Sequence, residues 1–474
     1  MFSHNSIVFD PGVNQMLFNQ YYLECLSHAS YLVGDETTGR AVVVDPQRDI
    51  AEYLADAEAN NMAIELIIET HFHADFLSGH LELAEATGAR IVYSSVAQPD
   101  FDFMPVDDGE VYSLGDVILE FRHTPGHTPE SMSIVVREHA ADELPWAVLT
   151  GDTLFIGDVG RPDLLASIGY SREELADMLY HSLHEKILTL PDETRVYPSH
   201  GAGSACGKNL SEELWSTIGD QRRTNYAVAA PDEQTFIALV TEGQPPAPGY
   251  FGYNADLNRR NRELLDEGTP PEPMTWDQMV QACENGAVLI DGRDPEEFAT
   301  GHIAGAINIG LDGRYAEFAG SVVQPHDEIV LMIEPGEELQ AKNRLARIGF
   351  DRVLGYLDNP FAAMIEHSDR VHRASRLTAP AFAEIRPELG EVQLIDVRNP
   401  GEFEDGTIED ATNVPVGQLP TRIGELDPER CTVVFCAGGY RSSVAASLLR
   451  RNGFEDVSDI IGGYEAWREL VQPA

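Results

Sequence analysis

The chain has 474 residues and a formal net charge of −47, from 32 Lys+Arg against 79 Asp+Glu, so phosphate backbones and anionic membrane surfaces are unfavourable partners. Hydrophobic residues make up 43%, material for several packed cores, and the length suits about two to four domains. Five scattered cysteines, Cys25, Cys206, Cys283, Cys431 and Cys436, argue against a disulfide framework in a chain this large and for a reduced, cytoplasmic protein. The opening MFSHNSIVFDPGVNQ lacks a basic stretch followed by an apolar one, so no signal peptide is expected. No run approaches the roughly 18 apolar residues of a membrane helix.

Strand-like runs then follow in order: SIVFD, ASYLVGD, RAVVVDP, IELIIETH, ARIVYSS, VILEFRHTP and WAVLTGD. Helical patterns such as SGHLELAEATG and SREELADMLYHSLHEKILTL separate some of them. Four apolar strands end on metal-capable residues. IELIIE runs into His71 and His73, which an extended backbone turns to one side. VILEFRHTPG leads to His127, WAVLTG to Asp152 and RVYPS to His200. Imidazoles and a carboxylate gathered at strand C-termini are a donor set for one shared metal site, because that edge is where α/β folds place ligands. Tyr197 reads as a packed strand residue, as do Cys25, Cys206, Cys283 and Cys431 as packing residues. Lysine is almost absent: Lys186, Lys208 and Lys342 are the full set.

The stretch from Gln244 to Pro273 is Pro-rich at both ends and marks a boundary. Beyond it the chain repeats itself. LIDGRDPEEFATGHIAGAINI begins at Leu289 and LIDVRNPGEFEDGTIEDATNVPV at Leu394, an offset of 394 − 289 = 105 residues. Each copy alternates short apolar strands with helical segments, an α/β unit with a parallel sheet, and the offset is that of a duplicated domain. ASRLTAP near Ser375 divides the copies. In the second, the strand TVVF ends on Cys436, then Ala437, Gly438, Gly439, Tyr440 and Arg441 lead into a helix. Loop amides, a helix N-terminus and a guanidinium beside a sulfur stabilise it as an anion. The first copy reads IVLMIEPGEELQ there, placing Met332, Ile333 or Glu334 opposite Cys436. None is a cysteine, so this copy is expected to be silent in whatever chemistry Cys436 performs, with spacing, docking or a dimer contact as its role.

THFHADFLSGH, TPGHTPESMS and GDTLFIGDVGRPDL resemble the metallo-β-lactamase superfamily, within it the persulfide dioxygenase branch, across the N-terminal segment. Phe76 stands where a dinuclear hydrolase of that superfamily has a histidine. The resemblance implies an αββα sandwich over residues 1–268. It also implies one Fe(II) per chain on His71, His127 and Asp152, with His73, Asp75 and His200 orienting ligands or holding water. Such a triad leaves positions for a persulfide sulfur and O₂. The implied reaction turns RSSH, O₂ and H₂O into RSH and sulfite, with glutathione persulfide as the family default. Arg161, Asp163 and Lys208 are candidates to hold the ends of the thiol. The repeated segments resemble rhodanese domains, α/β folds over 269–374 and 375–474, in which Cys436 and Arg441, with the loop Ala437–Tyr440, would relay sulfane sulfur to or from thiosulfate. Asp396 and Arg398 match that family's strand-end D-x-R, and Asp291, Arg293, Gly301, His302 and Gly305 keep the first copy rhodanese-like. Two rivals stay open: a zinc thioester hydrolase resembling glyoxalase II, fused to a sulfurtransferase, and a non-enzymatic sulfur carrier. The oligomeric state also stays open.

Overall fold

The computed structural model describes residues 16–164, 169–244 and 246–471. The SIVFD strand and the expectation drawn from the N-terminal stretch lie outside the described residues. No helix among the described residues is long and apolar enough to cross a membrane. The chain divides into two compact units, one running to Ala247 and resuming over Phe251–Leu265, the other taking Pro248–Tyr250 and everything from Asp266 onward.

The first unit is an αββα sandwich. One six-stranded sheet takes Met16–Leu23, His28–Asp35, Arg40–Val44, Ala63–Ile68, Arg90–Ser94 and Met104–Val106 in sequence order. The second runs back across Ser216–Thr217, Arg195–Pro198, Ala147–Gly151, Met132–Arg137, Ile118–His123 and Val111–Ser113. Alternation along these strands builds the inner core: Val33, Val42, Leu66, Ile68 and Val92 of one sheet meet Leu119, Phe121, Ile134, Val136 and Leu149 of the other. The opposite faces are covered by Tyr53, Ala57 and Leu83 on one side and Ala176, Leu179, Leu183 and Phe236 on the other, carried on helices that include Ala51–Ala59, His80–Thr87, Arg172–His181 and Glu233–Thr241.

The second unit holds two α/β sheets of one topology. The first copy orders Pro273–Met274, Val353–Leu357, Ile329–Met332, Val288–Asp291 and Ile307–Asn308; the second orders Ser375–Thr378, Val457–Ile461, Thr432–Phe435, Gln393–Asp396 and Thr412–Asn413. All these pairings are parallel. The 105-residue offset survives at the level of single hydrogen bonds. Arg293 grips Asp291 at 3.0 and 2.6 Å and the Gly301 carbonyl at 3.0 Å; Arg398 grips Asp396 at 3.0 and 2.7 Å and the Gly406 carbonyl at 2.6 Å. Asn308 donates to the carbonyls of Asp291 and Arg293, as Asn413 does to those of Asp396 and Arg398. The D-x-R motif is thus a buried brace that fixes the end of the central strand.

All three lysines act as backbone clamps. Lys186 Nζ donates to the His123 carbonyl, Lys208 Nζ to those of Leu239 and Glu242, and Lys342 Nζ to those of Asp266 and Thr269.

Candidate metal centre and sulfur-transfer loop

Strand direction explains the convergence in the first unit. Ala147–Gly151 is parallel to Arg195–Pro198, and Ile118–His123 reaches the same direction through two antiparallel pairings, so His127, Asp152 and His200 all leave one edge of the sheet. In the facing sheet, Arg40–Val44 and Ala63–Ile68 are parallel and deliver Asp45 and His71. Nε2 of His71 lies 3.8 Å and Nε2 of His127 3.4 Å from Asp152 Oδ2; Nε2 of His200 lies 3.4 Å from both Asp152 Oδ1 and Asp75 Oδ2. His71, His127 and Asp152 form one group able to hold a metal, and His73, Asp75 and His200 form another.

The second ring nitrogen of His71, His127 and His200 is held in place. His127 Nδ1 pairs with the Arg161 carbonyl at 2.9 Å, His200 Nδ1 with the Ser27 carbonyl at 3.2 Å, and His71 Nδ1 with Thr70 Oγ1 at 2.9 Å. A carbonyl on Nδ1 fixes the tautomer that leaves Nε2 as a lone-pair donor. Asp45 ties the ligand loops together, accepting from the Thr70 amide at 2.7 Å, the Thr70 hydroxyl at 2.9 Å and the Ser199 hydroxyl at 2.8 Å. It does so in the left-handed region, at φ 51°, a backbone cost kept by the surrounding structure. Gly160 is required on the other side, since a Cβ there would lie 1.8 Å from the Asp152 carbonyl.

Burial sets the protonation of these groups. It pushes His71 well below the ordinary range, helped by the neighbouring imidazoles, and brings His127 down to about 4. It also raises Asp152 to about 7. Burial alone would lower His200, but the carboxylates of Asp152 and Asp75 outweigh it and the net shift is upward. Nε2 of His71 and His200 has no hydrogen-bond partner, nor, apart from the neighbouring Cys206 thiol, has either oxygen of Asp152. Orphaned, fully buried donors of this kind are costly unless a cation joins them. The residues present therefore fit a bound metal.

In the second unit the strand Thr432–Phe435 ends on Cys436, which is buried beside the amide of Gly439 (3.1 Å to Sγ) and the hydroxyl of Ser442 (3.7 Å). Gly439 takes φ 106°, a conformation suited to glycine. Arg441 reaches Glu402 with both terminal nitrogens, at 2.7 and 2.8 Å. In the first copy the register decides the counterpart of Cys436: Asp291 pairs with Met332 as Asp396 pairs with Phe435, so Ile333 occupies the sulfur's place.

Residues 23–200 match the metallo-beta-lactamase superfamily, and residues 275–366 and 379–470 each match the rhodanese-like domain. The mouse mitochondrial persulfide dioxygenase ETHE1 is 31% identical over 235 residues, covering 49% of this chain and 83% of that protein. A probable metallo-hydrolase from Burkholderia pseudomallei is 32% identical over 259 residues, with the same two coverages of 49% and 83%. A metallo-beta-lactamase crystal structure from Staphylococcus aureus superposes with a TM-score of 0.65 at 34% identity, covering 72% of this chain and 99% of that one. The chain belongs to the metallo-β-lactamase superfamily. It joins a domain of that fold, homologous to persulfide dioxygenases, to two rhodanese-like domains.

Within this metallo-β-lactamase fold several candidate residues have partners in the chain itself. Arg161 and Asp163, expected to hold the two ends of a thiol, hold each other through two 2.7 Å contacts, and Arg161 also donates to the Ala205 carbonyl. The Arg161 backbone instead orients His127. Lys208, expected at a substrate carboxylate, caps the helix Glu233–Thr241 and lies over the Tyr226 ring. Cys206, expected as packing, sits among Asp152 and His200. His73 turns its Nε2 to Asp45 at 3.1 Å and Glu69 at 3.6 Å. Asp45, Glu69 and Glu402 were not foreseen. Asp45 closes the strand-like VVVDP, a position that could have flagged it; nothing local marks the other two.

Proposed function

We propose that this protein is an iron-dependent persulfide dioxygenase fused to a rhodanese sulfurtransferase, with residues 1–268 as the oxidising domain and 269–374 and 375–474 as the silent and active rhodanese domains. The observation that carries the reading is the convergence of His71 and His127 on Asp152 while Phe76, only 1% exposed, fills the place of a further histidine. Two imidazoles and a carboxylate on one side of a cation suit iron with positions left for ligands. The homology to persulfide dioxygenases supports the same reading.

Bound at His71, His127 and Asp152, iron supplies O₂ chemistry and a seat for a thiolate-like sulfur. The chain's own residues do the rest. Arg161 and Ser27 hold the imidazoles of His127 and His200 by their Nδ1 atoms, so the donor set is rigid before substrate arrives. His73, Asp75 and His200 line the neighbouring position, where they orient ligands or hold water. The overall change is RSSH + O₂ + H₂O → RSH + SO₃²⁻ + 2 H⁺, in which the sulfane sulfur loses four electrons and O₂ gains four. At Cys436, sulfur transfer conserves electrons: the thiolate attacks the outer sulfur of thiosulfate, a Cys436 persulfide forms, sulfite leaves, and a low-molecular-weight thiol such as glutathione takes the sulfur as RSSH. The reverse sequence consumes persulfide and yields thiosulfate. The Gly439 amide donates to the sulfur that carries the charge in both directions, while the Ser442 hydroxyl accepts from the thiol and donates to the Gly439 carbonyl.

The test is O₂ uptake by the full chain with glutathione persulfide, alongside metal quantification. About one iron per chain and loss of uptake in His127→Ala support the reading; two zincs and thioester hydrolysis without O₂ uptake overturn it in favour of the hydrolase. For Cys436→Ala, thiosulfate:thiol transfer should disappear, and its survival would refute the role of that cysteine.

A further inference from the structure

The helix Tyr440–Arg451 begins at the Gly439 amide that touches the Cys436 sulfur, so whatever holds this helix holds the cradle. Its residues 440, 443, 447 and 451 are spaced by 3, 4 and 4 and share one face. All four bond to the first, cysteine-less copy. The Tyr440 hydroxyl donates to the Gly310 carbonyl at 2.6 Å and the Ser443 hydroxyl to Asn308 Oδ1 at 2.6 Å. The Asn308 amide donates to Ser447 Oγ at 2.9 Å, and Arg451 donates to the Gly305 carbonyl at 2.8 Å. Asn308 is itself part of that copy's brace on Asp291 and Arg293, so the helix is bolted to a rigid point.

The end nearest the sulfur has the tightest fit. The Tyr440 ring lies over Gly313, where a Cβ would meet the ring at 2.3 Å, and packs on Phe318 with centroids 5.3 Å apart. Arg344 donates to the carbonyls of Leu311 and Gly313, fixing the segment that receives the ring. Arg441, next in sequence, faces Glu402 of its own copy and lies in the field of Glu317 from the silent one, which is paired with Arg314.

We propose that the silent rhodanese copy is the positioning half of the sulfur-transfer site, seating Tyr440 between Gly310, Gly313 and Phe318 so that the Gly439 amide is held on the Cys436 sulfur. This rests on the sulfur-transfer role of Cys436 and assigns the cysteine-less copy a task in it. Tyr440 is a positioning residue, acting through the loop backbone.

The test uses the full chain with Tyr440→Phe, which removes the hydroxyl, Gly313→Ala, which fills the seat, and the double variant. One lost hydrogen bond at the latch lowers kcat for thiosulfate:thiol transfer by about fivefold to tenfold in Tyr440→Phe, with KM for thiosulfate within about twofold. Gly313→Ala falls further, and the double variant falls no further than Gly313→Ala, because both act on one seat. Additive losses, a change confined to KM, or kcat unchanged in both single variants overturn the proposal. Iodoacetamide alkylation of Cys436, followed by peptide mass spectrometry, reads the loop without any transfer assay. Its rate at a fixed pH changes in both variants as the amide cradle loosens; rates equal to the parent's overturn the latch. If the unmodified protein transfers no sulfur, the function of Cys436 is refuted while alkylation still judges the latch, so the two failures remain distinct.

Discussion

Changing Phe76 to histidine tests why one metal is expected here and not two. Phe76 is 1% exposed, with its ring centroid 3.9 Å from that of His28 and 4.3 Å from that of His73. Burial of such a ring contributes about 1.5–3 kcal/mol, and an imidazole in its place brings two ring nitrogens, each costing about 1–3 kcal/mol if left unpaired. With part of the apolar contact retained, metal-free Phe76→His should lose about 3 kcal/mol, or about 6–12 °C in Tm for a domain of this size. A new donor beside His73, which groups with Asp75 and His200, should then hold a second ion, and free zinc at about a thousand times Kd returns about 4 kcal/mol. The variant therefore melts below the parent after chelation and at or above it in zinc. Inductively coupled plasma analysis should count two metals per chain. A Phe76→His protein that folds, binds one metal and shows the parent's metal dependence of Tm would refute the assignment of Phe76 as the residue that closes the second site.

Three further outcomes follow from contacts already described. Lys208→Ala should cost about 1–2 kcal/mol in urea unfolding through loss of the helix cap and leave the KM for persulfide unchanged; a raised KM would restore a substrate role. Glu402→Gln removes the charge that holds Arg441 and should lower kcat/KM for sulfur transfer about tenfold, a parental rate counting against the pair. His302, 3% exposed with Nδ1 on the Phe298 carbonyl, is brought down to about 4 by burial. The folded state thus prefers the neutral ring, and its stabilisation is complete above about pH 6.5 and falls as pH drops towards 4, by roughly 3 kcal/mol in all and roughly 2 kcal/mol by pH 5. His302→Gln should flatten unfolding free energy between pH 7 and 5 by that amount, and equal slopes would refute it.

The repeat, the paired sheets and the residues at strand ends were legible because each leaves a local mark: an apolar run, then a histidine or aspartate, then glycine or proline. Ile333 could be named as the counterpart of Cys436 only from strand register, since PGEE and AGGY differ in sequence and an alignment slips by one. The brace on His73 was hidden because Asp45 and Glu69 reach it from two different strands. Arg161, Asp163 and Lys208 look like substrate ligands in a chain short of positive charge. Pairing two residues apart, and capping a helix 31 residues away, depend on how the loops close. Cys206 illustrates the reverse: its neighbours Ala205 and Gly207 carry no signal, and only the approach of Asp152 and His200 makes it notable.

The three lysine clamps have a practical consequence. An amine-reactive ester needs an unprotonated, accessible nitrogen, and every side-chain amine in this protein is bound to backbone carbonyls. Acylation at each one competes with those hydrogen bonds, so labelling rates at Lys186, Lys208 and Lys342 would report how firmly three separate segments are held. The same scarcity means that tethering through a lysine would disturb one of these backbone contacts, whereas carboxylate-directed coupling would draw on 79 Asp and Glu side chains.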